Sequence, residues 1–228
     1  MMDARDAYER RAARLALLLT DDVQRGSDAL AVVFRAHRDL ARVGETMVER
    51  AIVQACRAQG RGSGGVAPPP GDDPGAALWK AAHTLEGQPW EAWILRELEG
   101  ETELLVARAM DCSKTAIATV HLGPAVESVR AAIAPHDYDA ALASLRAALD
   151  QIDIAPVLAA GRAARDRAIR RSRMVGALQL VALGICFGLM TYVLLDLMQA
   201  SARERDQHLR EDAFSNPIPG TGDDGAGP

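Results

Sequence analysis

Residues Glu99–Val120 read EGETELLVARAMDCSKTAIATV, which predicts two short helices joined by a tight turn. The first helix is predicted over Glu101–Met110, and Asp111-Cys112-Ser113 forms the turn. Ser113 is the predicted N-cap of the second helix, because its hydroxyl can accept a hydrogen bond from an otherwise unpaired backbone N–H. This arrangement is typical of a helix-turn-helix, in which the second helix fits the DNA major groove. The apolar positions expected on the buried faces are Val106, Ala107, Met110, Ile117 and Val120.

A wider window, Leu85–Ile133, contains further pieces of one pattern at fixed spacing. They are Leu85, Trp93-Ile94-Leu95-Arg96, Glu99-Gly100, Thr102, Val106-Ala107 and Met110-Asp111-Cys112-Ser113. On these residues the window resembles region four of extracytoplasmic-function (ECF) sigma factors, small subunits that direct bacterial RNA polymerase to promoters. The resemblance implies that the second helix reads promoter DNA. The DNA-binding candidates that it implies are Ser113, Lys114, Thr115, Ala118, Thr119 and His121.

The front of the chain resembles region two of the same family, the helical core that binds polymerase and melts promoter DNA. The sequence concerned is YERRAARLALLLTDDVQRGSDALAVVFRAHRDL, residues 8–40. Its matching residues are Tyr8, Ala12, Leu15, Leu19-Thr20, Asp22, Asp28 and Phe34. The resemblance implies a polymerase contact on the second helix, with the candidates Asp28, Ala31, Val32 and Arg35.

Several functional positions depart from the family pattern. Ala31 and Val32 replace the Gln-Glu pair that is usual at the polymerase contact. Gly123-Pro124 predicts an interruption of the DNA-reading helix where the family continues it. Family members present aromatic and basic residues on the third helix, since these stack on bases and bind phosphates. Here the third helix offers cations only, at Arg50, Arg57 and Arg61.

The charge balance also argues against tight DNA binding. Trp79–Ala134 contains five Lys or Arg residues against eight Asp or Glu residues, and the whole chain has a formal net charge of −5. Neutralisation of phosphate supplies much of a protein's affinity for DNA, so a negative region meets DNA unfavourably.

The composition indicates an all-α protein. Of 228 residues, 49% are hydrophobic but only 4% are aromatic, and no alternating strand pattern is evident. Trp90 and Trp93 are interpreted as core residues rather than as base-stacking residues. The three cysteines have no metal-site or disulfide spacing, and the charged N-terminus predicts no signal peptide. We find no nucleophile–base pair, phosphate loop or paired carboxylates, so we expect no enzyme, no metal and no cofactor.

Met174–Leu195 contains no charged side chain over about 22 residues, which span about 33 Å as a helix. Since the hydrocarbon layer is about 30 Å thick, we predict a transmembrane helix, the alternative being a buried core helix. Arginines are concentrated before the span, at 162–173. They predict a single-pass protein of the inner (cytoplasmic) membrane, with its N-terminal body cytoplasmic and its tail outside. Gly184 and Gly188 are interpreted as ordinary membrane-helix glycines rather than as a packing motif.

The predicted organisation is two small helical domains, a sigma region two-like domain at 1–59 and a region four-like domain at 78–134. A flexible Gly/Pro linker at 60–77 joins them. A helical spacer at 135–173 leads to the transmembrane helix at 174–198, and the tail at 199–228 is expected to be partly disordered. The apolar stripe of the spacer leaves two interpretations open. It is a plain spacer, or it covers part of the body as a regulatory segment would.

The leading functional hypothesis is a membrane-tethered ECF-like sigma factor or transcription regulator. It would bind RNA polymerase core and promoter DNA in response to an envelope signal, with the lipid bilayer and a regulatory protein as further partners. The alternative is a degenerate sigma-fold module, a scaffold, decoy or anti-sigma-like partner that does not bind DNA. A third hypothesis is a helical tail-anchored protein that resembles the family by chance.

Overall fold

The structure is a computed structural model that describes residues 4–37, 44–62, 66, 73–134 and 136–215. The described residues are all-α and form no strand, which confirms the predicted fold class. The first half, residues 4–62, contains α1 (Ala4–Thr20), α2 (Val23–Ala36) and α3 (Glu45–Gln59). The second half, residues 73–134, contains α4 (Pro74–Ala82), α5 (Gln88–Trp93), α6 (Glu103–Met110), α7 (Lys114–Ala116) and α8 (Gly123–Ile133). Two π-helical segments, Ile94–Leu98 and Ile117–Leu122, follow α5 and α7, and the chain continues with α9 (Tyr138–Leu149) and α10 (Ala155–Ser215).

The three helices of the first half pack through one apolar face each. Short polar residues separate α1 from α2, and Asp22 caps α2 by accepting a hydrogen bond from the backbone N–H of Arg25 at 2.8 Å. Apolar residues at helical spacing then face one another across the bundle. The largest buried side chains of this half are Leu15, Leu17, Leu18, Leu30, Phe34 and Ile52.

Tryptophans occupy the centre of the second half. Trp79, Trp90 and Trp93 are each at most 2% exposed. The ring centroid of Trp90 lies 5.5 Å from that of Trp79 and 6.1 Å from that of Trp93. Helix α8 contacts both α4 and α5 around these rings. The interpretation of Trp90 and Trp93 as core residues is confirmed.

The helix of the second half that would read DNA does not end at Gly123-Pro124, so the predicted interruption is wrong. A wide π-helical turn at Ile117–Leu122 precedes the proline, and the N–H of Gly123 donates to the carbonyl oxygen of Ala118. Pro124 therefore lies in the first turn of α8, a position that suits its fixed φ.

The same turn explains why the expected burial of Val120 is wrong. Val120 is 59% exposed, whereas Leu122 is buried. A π-helical turn contains an extra residue, so the side chains after Ile117 rotate by about 100° relative to a regular helix. The predicted burial of the other four positions is confirmed, at Val106, Ala107, Met110 and Ile117.

We expect Gly123→Ala to destabilise the body by about 1–3 kcal/mol, as overpacking does. A Cβ at this position would lie 2.5 Å from the carbonyl oxygen of Ala118. Urea unfolding of the detergent-solubilised chain, followed by helical circular dichroism, measures the change. Gly176→Ala is the control, because a Cβ there meets nothing within 4 Å. Equal stability of the two variants would contradict the close approach.

Residues 137–170 pack on the second half through α9. Ser144 donates a hydrogen bond of 2.6 Å to the Asp73 carboxylate, and the Nε1 of Trp93 donates to the Tyr138 hydroxyl at 3.1 Å. At Gly75 a Cβ would lie 2.8 Å from the backbone nitrogen of Leu145, which shows how closely α4 and α9 approach. Helix α9 is therefore part of the packed body.

Residues 155–170 of α10 pack on the first half. Val157 and Leu158 are buried, and Gly161 fits against Leu30 and Phe34, where a Cβ would approach within 2.9 Å of the Leu30 side chain. The predicted spacer thus packs on both halves of the body. Of the two interpretations of its apolar stripe, the packing matches a segment that covers the body rather than a plain spacer.

Packing divides the chain into two units, Met1–Arg170 and Arg171–Pro228. The two predicted helical domains lie in the same unit. Helix α4 begins at Pro74, inside the predicted linker, because the Asp73 side chain accepts a hydrogen bond from the N–H of Gly75 at 2.7 Å. The rest of the predicted linker, 63–65 and 67–72, lies outside the described residues.

The second unit contains the apolar part of α10. Within the described residues this is one helix long and apolar enough to cross a membrane. Its large apolar side chains between Met174 and Met198 are 47–72% exposed. A soluble core helix buries such side chains, so their exposure is compatible with a membrane span. Helix α10 extends to Ser215, beyond the predicted end of the span at 198, and the predicted disordered ending at 216–228 lies outside the described residues.

Candidate functional site

The predicted helix-turn-helix is formed by α6, its turn and α7. Thr102 caps α6 by accepting from the N–H of Leu105 at 3.4 Å. Asp111 adopts a left-handed conformation with φ of 60°, which reverses the chain. Ser113 accepts a hydrogen bond from the N–H of Ala116 at 3.0 Å, which confirms it as the N-cap.

The DNA-binding candidates lie along the N-cap, α7 and the π-helical segment that follows it. They divide into an exposed set, Ser113, Lys114, Thr115 and Thr119, and a half-buried set, Ala118 and His121. Lys114, the cation of the group, has its Nζ 3.7 Å from a carboxylate oxygen of Glu103. Thr119 donates its hydroxyl to the carbonyl of Thr115 at 2.8 Å. Exposed polar groups are thus present, but the positive charge has an acidic neighbour.

The third helix and its extension carry three arginines, Arg50, Arg57 and Arg61. Two of them form ion pairs with acidic residues of the second half. A guanidinium nitrogen of Arg50 lies 2.8 Å from the Asp111 carboxylate. Arg57 donates hydrogen bonds from two guanidinium nitrogens to the carboxylate oxygens of Glu91, with N–O distances of 2.6–3.0 Å. These hydrogen bonds, together with the negative charge of Glu91, raise the pKa of Arg57 against the opposing effect of burial.

Arg61, the third of these cations, is engaged in a different way. Its guanidinium carbon lies 3.8 Å from the ring centroid of Trp90, and it donates to the carbonyl of Leu85 at 2.7 Å. Burial lowers the pKa of Arg61, although nearby acids oppose the shift. All three arginines that would face melted DNA therefore contact the second half.

The polymerase-binding candidates lie together on the outer face of α2. Asp28 and Arg35 are exposed, Val32 is 42% exposed, and Ala31 is half-buried. Gln24 donates to both carboxylate oxygens of Asp28 at 3.3 Å, and Arg35 donates to the carbonyl of Ala31 at 3.1 Å. Both contacts are within α2, so within the described part of the chain these side chains remain accessible to a partner.

A pair formed by the buried Asp21 and the half-buried His83 joins the two halves. The Nε2 of His83 lies 2.8 Å from the carboxylate of Asp21, and its Nδ1 lies 2.8 Å from the carbonyl oxygen of Trp79. Both ring nitrogens thus lie within hydrogen-bonding distance of an acceptor oxygen. Asp21 also accepts from the N–H of Val66 at 3.3 Å. Sequence reasoning missed this pair because 62 residues separate its members.

Glu99, part of the Glu-Gly motif of the sigma resemblance, has a structural role here. It is buried against α1, with its carboxylate 3.2 Å from Nε of Arg14 and 3.7 Å from Nε of Arg11. Burial raises the pKa of Glu99, and the two arginines oppose that shift. Gly100 has a φ of 74°, so the motif combines an interhalf ion pair with a left-handed turn.

A cavity of about 560 Å³ lies between α3 and the helix-turn-helix, lined in part by Met47 and Cys112. Burial raises the pKa of the Cys112 thiol, which disfavours the reactive thiolate. Burial also raises the pKa of Cys56. Within the described part of the chain, His, Cys, Asp and Glu side chains form no cluster of three suited to a metal ion.

Arginines of α10 hold acids of α1. Arg162 binds both Asp6 and Glu9, and Arg165 also binds Glu9. Burial favours a higher pKa for Glu9, but hydrogen bonds from Arg165, Arg162 and Arg5 outweigh it and hold the pKa below 4.5, its ordinary value. Hydrogen bonds from Arg162 and Arg10 likewise hold the pKa of Asp6 below 3.8.

We expect the stabilisation from Glu9 to disappear in acid. A carboxylate whose pKa is lowered by folding stabilises the fold above its ordinary pKa and loses that effect as the pH falls through the lowered value. The stability difference between the native chain and Glu9→Gln should therefore be full at pH 6 and shrink progressively below about pH 4.5. Urea unfolding at pH 3–7 measures it. A difference that is constant with pH would contradict the ion pairing.

Comparison with known proteins finds no matching family model, no matching curated protein and no matching solved structure.

Proposed function

We propose that this chain is a single-pass, membrane-anchored transcription regulator of sigma-factor architecture, with a cytoplasmic body that is closed in the described conformation. The observation that supports this most directly is the engagement of Arg50, Arg57 and Arg61 by the second half. Phosphate binding requires free cations, so promoter DNA would reach α3 only after the halves separate. The membrane is proposed to be the inner membrane, with the signal arriving from the outer side.

RNA polymerase core is the proposed protein partner, and the outer face of α2 is the proposed contact. This face combines the exposed apolar Val32 with the charged Asp28 and Arg35. Such a mixture is typical of an interface that is accessible in the free protein. It remains open in the closed body, so polymerase binding does not depend on separation of the halves.

A second candidate function is supported by the DNA-reading helix itself. Lys114 has Glu103 beside it, and the neighbouring exposed side chains include the apolar Val120. An exposed apolar residue on a negatively charged domain suits a protein partner better than phosphate. In this version the chain is a membrane scaffold, decoy or anti-sigma-like partner that keeps the sigma architecture without DNA binding.

Binding of the full chain, in detergent micelles, to RNA polymerase core tests the proposal. We expect Val32→Glu to weaken binding about tenfold, the effect of losing about 1.4 kcal/mol at an interface. Leu104→Glu is the control, since it places the same charge at an exposed apolar position on the other half. Absence of core binding by the native chain would refute the sigma interpretation.

Promoter-dependent transcription then separates the two candidates. Core binding with transcription from a promoter library supports the sigma-like regulator. Core binding without transcription, and without retention of promoter DNA, supports the interaction module. Membrane fractionation with protease access to the tail tests the proposed orientation, and a chain that fractionates as soluble would refute the anchor.

A further inference from the structure

The geometry points to residues 137–170 as an intramolecular clamp that holds the two halves closed, so that release of this segment opens the body. The clamp itself does not depend on what the halves bind. It rests on the proposed function only in its expected trigger, which is a change at the membrane-anchored continuation of α10.

The clamp grips the first half through buried charge. Arg165 is only 8% exposed, contacts Glu9, and places its guanidinium carbon 5.5 Å from the ring centroid of Phe34. Arg162 adds contacts to Glu9 and Asp6. A buried arginine that loses its carboxylate is left uncompensated, so this grip is specific to the docked position.

The clamp grips the second half through hydrogen bonds to fixed groups. Arg146 donates its Nε to the carbonyl of Glu97 at 2.7 Å, and Ser144 donates to Asp73. Leu145 and Leu149 are buried among the apolar residues of the body. Since α9 and α10 are joined by only a few residues, the two grips form a short link from one half to the other.

Asp150 completes the link. It follows α9 directly and binds Arg14 of α1, the residue that also faces Glu99 of the second half. Arg14 thus contacts both the clamp and the second half. The clamp therefore acts at the ion cluster where the halves meet, as well as at the two outer grips.

A clamp has an effect here because some direct contacts between the halves are weak. The Arg50–Asp111 pair has side chains 44% and 62% exposed, and an exposed ion pair stabilises by only about 0–1 kcal/mol. Holding both halves on one segment raises their effective concentration for each other. Loss of the clamp should then allow the α3 arginines to separate from the second half.

Distances between spin labels on the full chain in nanodiscs test this inference. One pair, at Gln54 and Ser128, reports the separation of the halves, and a second pair, at Gln24 and Ala159, reports docking of the clamp. All four positions are exposed. The accessible Cys112 and Cys186 are replaced by serine, and the buried Cys56 is kept.

The test variant combines Glu9→Gln, which removes the negative charge that pairs with Arg165, with Gly161→Leu, which inserts a side chain against Leu30 and Phe34. The control combines Glu127→Gln with Ala163→Leu, the same kinds of change at exposed positions.

We expect both distances to gain a longer component in the test variant and to stay unchanged in the control. The population of the longer component should rise at least about tenfold, as expected for loss of hydrogen bonds to charged groups. A longer Gln24–Ala159 distance with an unchanged Gln54–Ser128 distance would overturn the clamp. Two unchanged distances would also overturn it, because the assigned contacts would then not hold the segment.

Arg162→Gln provides an independent variant if the double variant fails to fold, since Arg162 is 38% exposed at its side chain and lies outside the core. It should also give both distances a longer component, as in the double variant. Neither distance involves polymerase or DNA, so failure of the clamp and failure of the proposed function are separate results.

Discussion

Trp90→Ala should destabilise the body by about 3–5 kcal/mol, the typical result of emptying a large aromatic site in a packed core. The ring is 2% exposed and packs between Trp79 and Trp93. It also lies under the guanidinium of Arg61, and its Nε1 donates to the carbonyl of Leu19 at 3.3 Å. Because typical domains are stable by only about 5–15 kcal/mol, this loss would remove a large part of the stability of the body.

Denaturant unfolding of the solubilised chain, followed by circular dichroism, measures this loss. Trp90→Phe is the control, because it keeps an aromatic ring but removes the N–H that binds Leu19. Its cost should be smaller, about 1–2 kcal/mol. If Trp90→Ala costs less than the phenylalanine variant, Trp90 does not fill the core as described.

Asp21→Ala has the second largest expected effect, a loss of about 3 kcal/mol or more. The substitution leaves the Nε2 of His83 and the N–H of Val66 without their acceptor. It also places alanine at a φ of 51°, where an L side chain other than Asn or Asp is unfavourable. Both effects act at the contact between the halves.

Asp21→Gly separates the two effects. Glycine tolerates the positive φ but supplies no acceptor, so it should be about 1 kcal/mol more stable than the alanine variant. Asp21→Asn keeps both the backbone tolerance and an acceptor, and should cost least. Denaturant unfolding midpoints, compared among variants that have the same m-value, measure these stability differences. Equal stability of the alanine and asparagine variants would exclude a role for the Asp21–His83 pair.

Local patterns in the sequence were sufficient to predict α6, the turn after it and the start of α7. Apolar residues at helical spacing predicted the burial of Val106 and Ile117, and the capping hydroxyl of Ser113 predicted where α7 begins. These features depend on neighbours within four residues, which the sequence displays directly. The exposure of Val120 could not be predicted in this way, because a π-helical turn changes the spacing on which the argument depends.

Long-range pairing accounts for the rest of what sequence reasoning missed. No local pattern links Asp21 to His83, or Arg165 to Glu9, because their approach depends on how helices distant in sequence pack. The sequence displays Arg50, Arg57 and Arg61 as the cations of the third helix and its extension. Their engagement with the second half was not predictable, since an acid such as Glu91 reads as a solvated surface residue until packing is known.

The tryptophan cluster also allows the conformation of the body to be followed by intrinsic tryptophan fluorescence. All three tryptophans of the chain belong to α4 and α5, and α10 contains none. Intrinsic tryptophan emission therefore reports on the second half and its contacts with the first half, and no tryptophan reports on the apolar part of α10. Because the Arg61 guanidinium from the first half lies on the Trp90 ring, separation of the halves should shift that emission before the helices unfold.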